Sequence, residues 1–193
     1  MGKLFILTGK MASGKDALMT QILADCPHIK RMVSYTTRPQ RKGEVDGYMY
    51  RFVTEDFFKQ KESEGKVIEV RVDETEERRW LYGTFDERDN FLGSSYLAIK
   101  DPEGAMALKA YYGEDNVVIV LIDIDDGISL MRAINREITQ SAPKYADLCR
   151  RYLREEEEFK KFAPDFTIKN DDFFEAVKQL KEIIKTNRKG QVL

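Results

Sequence analysis

The sequence predicts an α/β protein: a mostly parallel sheet flanked by helices, joined to a small mixed α+β insert. Short apolar runs, typical of buried strands, alternate with helical stretches over most of the chain. Residues 34–92 break this alternation with aromatic and β-branched segments, turns and dense charge. We therefore expect a core formed by residues 1–33 and 93–193, with residues 34–92 inserted as a separate lobe.

The elements follow in order along the chain. The predicted strands are "KLFIL", "RMVSY", "KVIEV", "SYLAI", "VVIVLI" and "DFTIK". The predicted helices are residues 15–25, "PEGAMALKAYY" and "DDFFEAVKQLKEIIK", together with a long charged stretch over about residues 127–162. At 193 residues the chain is long enough to bury a substantial core.

Composition restricts the partners. With 32 basic and 34 acidic residues the formal net charge is −2, which argues against a general binder of nucleic acids or anionic membranes. The N-terminal apolar run is too short for a secretion signal or a membrane span. The two cysteines, Cys26 and Cys149, lie far apart and lack metal-ligand spacing. We expect reduced thiols, a cytoplasmic location, and no nucleic-acid or membrane partner.

A glycine-rich loop follows the first predicted strand. "GKMASGKD" matches the phosphate-loop pattern G-x-x-x-x-G-K-[ST] at Gly9, Gly14 and Lys15, but Asp16 replaces the hydroxyl residue. Such a loop turns backbone N–H groups toward phosphate oxygens, and the helix N-terminus adds positive charge. A tight turn with an exposed lysine is the alternative. Asp16 offers a hard oxygen ligand for Mg²⁺, and its charge is tolerable beside phosphate only with a cation between them or with the side chain turned away.

A second anion site is predicted in the insert, within "VSYTTRPQRKGEVDGYMYRF". Arg38 and Arg41 place two guanidinium groups three residues apart, which suits a phosphate dianion. Tyr50 and Tyr82 could add phenolic donors. A solvated basic turn is the alternative for the two arginines.

This segment closely resembles the guanylate kinase family, whose pattern here is S-x-T-T-R-x-x-R-x-G-E-x-D-G-x-x-Y-x-F. The resemblance continues through "VIEV", "YGT", "KDPEGA" and "KND", so it spans nearly the whole chain in order. It implies a phosphate-loop kinase core, a GMP-binding insert at residues 34–92 and a helical lid at about residues 126–158. It also implies Mg²⁺ and ATP as cofactor and co-substrate, and GMP or dGMP as acceptor.

The resemblance assigns the acceptor residues. Glu69 would accept from N1–H and the 2-amino group of guanine, and the hydroxyls of Ser34 and Thr84 would serve O6. Asp101 matches a further acid beside the bound nucleotide. Arg38, Arg41, Tyr50 and Tyr82 complete the predicted GMP site. Taken singly, Glu69 could instead be the solvent-facing residue of an edge strand.

The donor residues are assigned in the same way. The expected ATP-binding residues are Gly9, Ala12, Ser13, Gly14, Lys15, Asp16 and Asn170. Lys15 would act in catalysis with the lid arginines Arg132, Arg136 and Arg151. Arg151 could instead pair with a glutamate one turn away, and Arg150 and Arg154 compete for its role. Asn170 could instead cap the last helix.

Three departures from the family pattern stand out: Asp16, an apolar Ile99 where the family has another acid, and a 70–81 segment that is a few residues longer than usual. The predicted function is ATP-dependent phosphorylation of GMP. One alternative is a related kinase for another phosphorylated small molecule, such as a ribose bisphosphate, because those kinases can carry a G-K-D loop. The other is a non-catalytic binding module of the same fold.

Overall fold

A computed structural model describes residues 2–41, 43–75, 78–86 and 93–187 of the chain. The strands are Leu4–Thr8 (β1), Ile29–Arg31 (β2), Ser34–Thr36 (β3), Tyr50–Phe52 (β4), Val67–Thr75 (β5), Arg78–Phe85 (β6), Ser95–Ile99 (β7), Val117–Asp123 (β8) and Phe166–Lys169 (β9). The helices are Lys15–Asp25 (α1), Glu55–Ser63 (α2), Pro102–Tyr112 (α3), Asp126–Ile138 (α4), Tyr145–Phe159 (α5) and Phe173–Asn187 (α6).

The first sheet has five parallel strands in the order β2-β7-β1-β8-β9. β1 is central, pairing with β7 through Leu4↔Tyr96 and with β8 through Leu4↔Val117. All five β1 residues are buried, which explains why this strand is a continuous apolar run. The predicted mostly parallel sheet flanked by helices is confirmed.

Helices cover this sheet on two faces. On one face, residues of α1 and α6, including Leu18, Ile22 and Leu180, pack with Phe5 and Leu97 of the sheet. On the other face, Ala105 and Leu108 of α3 pack with Leu4, Ile6 and Ile119. Because β1 lies between two layers of helices, the loop that follows it is anchored at the centre of the carboxyl edge of the sheet.

The second sheet has four strands in the order β4-β3-β6-β5. β3 and β4 are parallel, whereas β3–β6 and β5–β6 are antiparallel. Its small core is mostly aromatic: Tyr35, Phe58 and Phe85 make ring contacts with centroids 5.0–5.6 Å apart, directly or through Phe57. α2 supplies Phe57 and Phe58, so one helix and one sheet form this lobe.

Two sequence expectations need correction or completion. The run "RMVSY", predicted as one strand, is split: β2 belongs to the parallel sheet and β3 to the second sheet. The chain therefore crosses between the sheets just before Ser34.

The longer 70–81 segment extends the β5–β6 ladder out to the pair Thr75↔Arg78, and residues 76–77 lie outside the described residues. The expected lobe boundary at residue 92 lies outside them as well.

The charged stretch after β8 forms two helices, α4 and α5, separated by residues 139–144. None of the helices in the described part of the chain has the length and apolar character needed to cross a membrane.

Candidate active site

The loop between β1 and α1 adopts backbone conformations that most side chains disfavour. Gly9 has φ of 154° and Gly14 of 92°, and Ala12 is left-handed with φ of 52°. A Cβ on Gly9 would lie 2.4 Å from the carbonyl oxygen of Ile122, and one on Gly14 would lie 2.2 Å from Nδ2 of Asn170. Gly14 precedes α1, and no side chain caps the first amides of that helix. The loop and helix N-terminus therefore present backbone donors suited to an anion.

Lys15 folds back over this loop instead of extending into solvent. Its Nζ donates to the carbonyl oxygen of Lys10 at 2.9 Å. Burial lowers the pKa of Lys15 to about 8, against the opposing negative charges of Asp16 and Glu155. A phosphate bound at the loop would reverse this effect, since it favours the ammonium form.

Asp16 is exposed on the first turn of α1. Burial raises the pKa of Tyr50 in β4, and the negative charge of Asp16 raises it further. Ile99, at the position of the absent acid, packs against the core. No group of three or more His, Cys, Asp or Glu side chains suited to a metal occurs among the described residues. A metal here would need ligands from a bound phosphate as well as from Asp16.

Asn170 joins the loop to the far side of the core. Its Nδ2 donates to the carbonyl oxygen of Ser13 at 2.7 Å, and the residue is buried. The alternative role as a cap for α6 is wrong, because Asp172 Oδ1 accepts from the amide of Glu175 there. The Oδ1 of Asn170 and the Oγ of Ser13 are buried and have no hydrogen-bond partner among the described residues, so both remain able to bind a ligand or water.

Helices α4 and α5, which cover the predicted lid, both contact the loop through Met11. The Met11 amide donates to Glu155 Oε2 at 2.5 Å, and Ser129 Oγ donates to the Met11 carbonyl at 2.5 Å. Glu155 is buried, and its Oε1 accepts from Arg151 Nε at 2.7 Å. Arg151 thus makes the glutamate pairing considered as its alternative role. Because Glu155 contacts the loop, this pair also holds Arg151 beside it.

Further charges link the lid to the loop. Lys10 forms ion pairs with Asp126 at 2.8 Å and with Glu156. The positive charges of Arg151 and Arg136 contribute to lowering the pKa of Lys15, after the larger effect of burial. Both guanidinium groups therefore lie within electrostatic range of Lys15. Arg132, one turn before Arg136, is exposed on α4.

The predicted phosphate clamp in the insert is partly occupied by a carboxylate. Arg38 is buried, and its NH1 and NH2 donate to the two oxygens of Glu44 at 3.0 and 2.7 Å. The Arg41 amide also donates to Glu44 Oε2 at 2.7 Å, while the Arg41 side chain is exposed. Tyr50 and Tyr82 lie edge to face beside Arg38, with centroids 5.6 Å apart. The sequence reading gave Glu44 no role, although it lies in the motif.

Four side chains meet in what we call the base pocket: Ser34, Glu69, Thr84 and Lys100. Thr84 Oγ1 donates to Glu69 Oε1 at 2.7 Å. Lys100 Nζ lies 2.6 Å from that same oxygen, 2.8 Å from Ser34 Oγ and 2.5 Å from Thr84 Oγ1. The three residues named by resemblance are brought together, and Glu69 is not a solvent-facing edge residue. Lys100 was missed, although a charge directly after a buried strand and before Asp101 was the available signal.

Asp101 has two roles in the structure. Its Oδ1 accepts from the amide of Gly104 at 2.8 Å and so caps α3, and its Oδ2 pairs with Arg71. Arg71 also contacts Glu158 of the lid at 3.3 Å. Sequence reasoning missed Arg71, yet it lies two residues after Glu69 and therefore on the same face of β5. The insert, α3 and the lid are connected through this arginine.

Tyr50 lies within electrostatic range of both predicted anion sites. Its pKa is raised by burial, by Tyr82 and by Asp16 of the phosphate loop, and lowered by Arg38 of the clamp and Arg151 of the lid. Loop, lid and insert thus act electrostatically on one phenol. The arrangement offers two candidate phosphate sites, at the loop and at Arg38, together with a polar pocket suited to a ring.

Comparisons with known proteins identify the family and support the fold. The family model described as guanylate kinase matches residues 1–187. The chain is 31% identical over 202 residues to a guanylate kinase of Symbiobacterium thermophilum, covering 100% of this chain and 91% of that protein. It is 30% identical over 190 residues to one from Syntrophotalea carbinolica, covering 95% and 85%. The crystal structure of a guanylate kinase from Anaplasma phagocytophilum superposes with a TM-score of 0.70 at 24% identity, covering 98% and 88%.

Proposed function

The chain belongs to the guanylate kinase family, and we propose that it transfers the γ-phosphoryl group of Mg·ATP to GMP or dGMP. The products are ADP and the guanosine diphosphate. One observation carries the proposal: a loop with an uncapped helix N-terminus lies within electrostatic range of a lobe in which Ser34, Glu69 and Thr84 converge. In this proposal residues 34–92 are the acceptor lobe, and residues 1–33 and 93–193 are the nucleotide core with its lid at about 126–158.

On the acceptor side, we assign the base to Glu69 and the two hydroxyl residues. The Glu69 carboxylate can accept from N1–H and the 2-amino group, which adenine lacks, so AMP would leave it unpaired. The acceptor phosphate is assigned to Arg38 and Arg41 with the phenols of Tyr50 and Tyr82. For Arg38 this requires exchanging the bidentate Glu44 carboxylate for a phosphate, a geometrically similar partner.

On the donor side, the loop residues Gly9 to Asp16 are assigned to the ATP phosphates. Lys15 would contact the transferring group, and burial makes that contact stronger than the same contact in water. Asn170 holds the loop through the Ser13 carbonyl and has a buried Oδ1 left for the nucleotide. Arg136 and Arg151 are assigned to the transferring phosphoryl, with Arg132 as a further lid cation.

Mg²⁺ fits this site as a companion of ATP. Asp16 is an exposed carboxylate at the first turn of α1, within electrostatic range of both Lys15 and Tyr50. Oxygens of the ATP phosphates would provide the other ligands of the metal. When bound with ATP, Mg²⁺ supplies charge neutralisation between the two nucleotides. Bound beside Asp16, the cation would offset the repulsion between that carboxylate and the phosphates.

The chemistry needs no protein base, because the acceptor phosphate oxygen is already anionic. The residues of this chain act by positioning and by neutralising charge: Lys15 and the lid arginines on the donor, Arg38 and Arg41 on the acceptor. Glu155 and Lys10 fasten the lid to the loop, so lid position and loop shape are coupled. Two free cysteines support a cytoplasmic setting for this reaction.

A coupled ADP-release assay over GMP, dGMP, AMP, CMP, UMP and ribose bisphosphates tests the proposal. GMP and dGMP should be preferred over the other nucleotides by at least about a hundredfold in kcat/KM, the scale expected when a polar pocket is left unpaired. Turnover of a ribose bisphosphate alone would instead favour the related sugar-phosphate kinase. If no acceptor supports ADP release, a non-catalytic binding module is favoured.

A further inference from the structure

Lys100 lies in the base pocket, although no motif led to it. Its backbone is fixed at the end of β7, where its amide donates to the carbonyl oxygen of Leu7 at 3.1 Å. Its side chain is 8% exposed and that of Glu69 is 11% exposed. The ammonium group makes three contacts, all to oxygen atoms of the base pocket. Such a buried charge is costly unless it is paired, and here it is paired with the residue assigned to guanine.

We propose that Lys100 is a specificity-determining residue that donates directly to O6 of the acceptor base. The proposal rests on the proposed function and deepens it, since it names the residue that selects the 6-oxo group of the acceptor base. The pocket then matches the guanine edge group by group: the Glu69 carboxylate faces the two donors, and the Lys100 ammonium faces the one acceptor.

The hydrogen-bond directions explain why the hydroxyls are insufficient. Thr84 gives its single hydroxyl proton to Glu69 Oε1, so it has none left for O6 while that bond persists. Ser34 can turn its hydroxyl to donate or accept, so it tolerates either a 6-oxo or a 6-amino group. An ammonium group only donates, and therefore disfavours the 6-amino group of adenine. The N–H directed at Ser34 makes the longest of the three contacts, 2.8 Å, and is the one an entering O6 would take.

A purely structural role is the competing explanation: Lys100 would only neutralise Glu69. The two explanations differ in their dependence on the atom at position 6 of the base. A lysine that only neutralises Glu69 favours the binding of every base that Glu69 contacts, whatever the atom at position 6. An O6-binding lysine supports GMP and IMP, which share O6, far more than 6-thio-GMP, in which weakly accepting sulfur replaces that oxygen.

The test measures kcat/KM of the full chain for GMP, IMP, 6-thio-GMP and AMP, comparing wild type with Lys100→Met. GMP and IMP should each fall about tenfold to a hundredfold, the range for losing a hydrogen bond to a charged group, and 6-thio-GMP less than about threefold. The readout is the kcat/KM for GMP divided by the kcat/KM for 6-thio-GMP. General damage to the pocket lowers both values and cancels in this ratio. Lys59→Met is the matched control, since Lys59 is 71% exposed on α2 and pairs only with Asp56 among the described residues.

An unchanged ratio in Lys100→Met overturns the proposal and leaves Lys100 as a neutralising residue. If that variant does not fold, wild type and Lys100→Met/Glu69→Gln, which removes both charges, are compared instead. Wild type must then prefer GMP over 6-thio-GMP and the double variant must not. The proposed function is judged separately, by wild-type turnover of GMP. If wild type does not turn over GMP, binding of GMP and 6-thio-GMP is measured by calorimetry instead. Equal or absent binding of the two nucleotides to wild type overturns the role of Lys100. A wild-type preference for GMP that is lost in Lys100→Met supports it.

Discussion

The phosphate loop and the base pocket reach their ligands by different means. The loop uses backbone groups of consecutive residues, shaped by Gly9 and Gly14 and followed by one lysine. The base pocket uses side chains from β3, β5 and β6 together with Lys100 after β7, and its members are far apart in sequence. The loop needs little more than local conformation, whereas the pocket exists only when two sheets are assembled side by side.

This difference predicts how each region tolerates substitution. In our proposal the loop binds phosphate through backbone amides, which substitutions other than proline leave in place. We therefore expect its specificity to be low and its catalytic contribution to be concentrated in Lys15. The pocket binds through a carboxylate and an ammonium group, so single substitutions should change which base is accepted. Variants of the two regions should therefore separate transfer from recognition.

Lys15→Met should produce the largest effect, about a thousandfold or more loss in kcat, the scale for removing a cation from a transferring phosphoryl group. GMP binding, measured by calorimetry, should stay within about twofold of wild type because no acceptor residue is altered. The exposed Lys59→Met serves again as the control for loss of one positive charge. An active Lys15→Met protein would show that the loop lysine does not contact the donor.

Glu69→Gln should show the reverse pattern. An amide offers one acceptor oxygen to two donors and adds an unwanted N–H, so kcat/KM for GMP should fall about a hundredfold. ATP affinity should be unchanged, because Glu69 belongs to the insert lobe. Measuring ATP binding and GMP kinetics on the same sample provides the comparison. A variant with wild-type preference for GMP over AMP would remove Glu69 from the base-reading set.

The fold was predicted well because short apolar runs that alternate with helical stretches are typical of a parallel sheet covered by helices. It did not predict the split of "RMVSY" into β2 and β3, since the apolar pattern continues across a crossing that only tertiary packing defines. The loop could be identified from local spacing alone. The acceptor residues required the family resemblance, because nothing in the local sequence indicates that Ser34 and Thr84 share a pocket.

The residues that were missed have a common cause. Glu155 is one of four consecutive glutamates, and periodicity alone does not reveal that this one turns inward to the Met11 amide. Arg71 and Lys100 pair with acids from other elements, so their partners are separated by tens of residues. Charges at the carboxyl ends of core strands, or on the same face as a predicted site residue, were the usable signals.

A pH titration of ATP affinity tests the loop by itself. Burial lowers the pKa of Lys15 to about 8 in the free protein, and bound phosphate favours its charged form. Above pH 8, ATP binding must therefore take up a proton, and affinity should fall with increasing pH by up to about tenfold per unit. Lys10, Tyr50 and Tyr82 have raised pKa values and stay outside this range.

Calorimetric ATP titrations at pH 7.5, 8.5 and 9.5, in buffers of different ionisation enthalpy, measure both affinity and proton uptake. At pH 7.5, Lys15→Met should bind ATP more weakly than wild type does. Its ATP affinity should also stay constant from pH 7.5 to 9.5. An equally steep profile in that variant would assign the titration to another group.

The smallest predicted effect concerns Asp16, where the loop departs from its usual pattern. Ile99 packs in the core, so in our proposal Asp16, whose charge acts on Lys15, takes the place of the absent acid. Asp16→Ala should raise the Mg²⁺ concentration for half-maximal rate about threefold to tenfold, a modest change because phosphate oxygens provide most ligands. Asp16→Thr, which restores a hydroxyl, should recover part of the loss. Asp56→Ala, exposed on α2, controls for removal of one carboxylate. If Asp16→Ala titrates with Mg²⁺ like wild type, the carboxylate points away from the metal, and the loop binds Mg·ATP through its backbone and Lys15 alone.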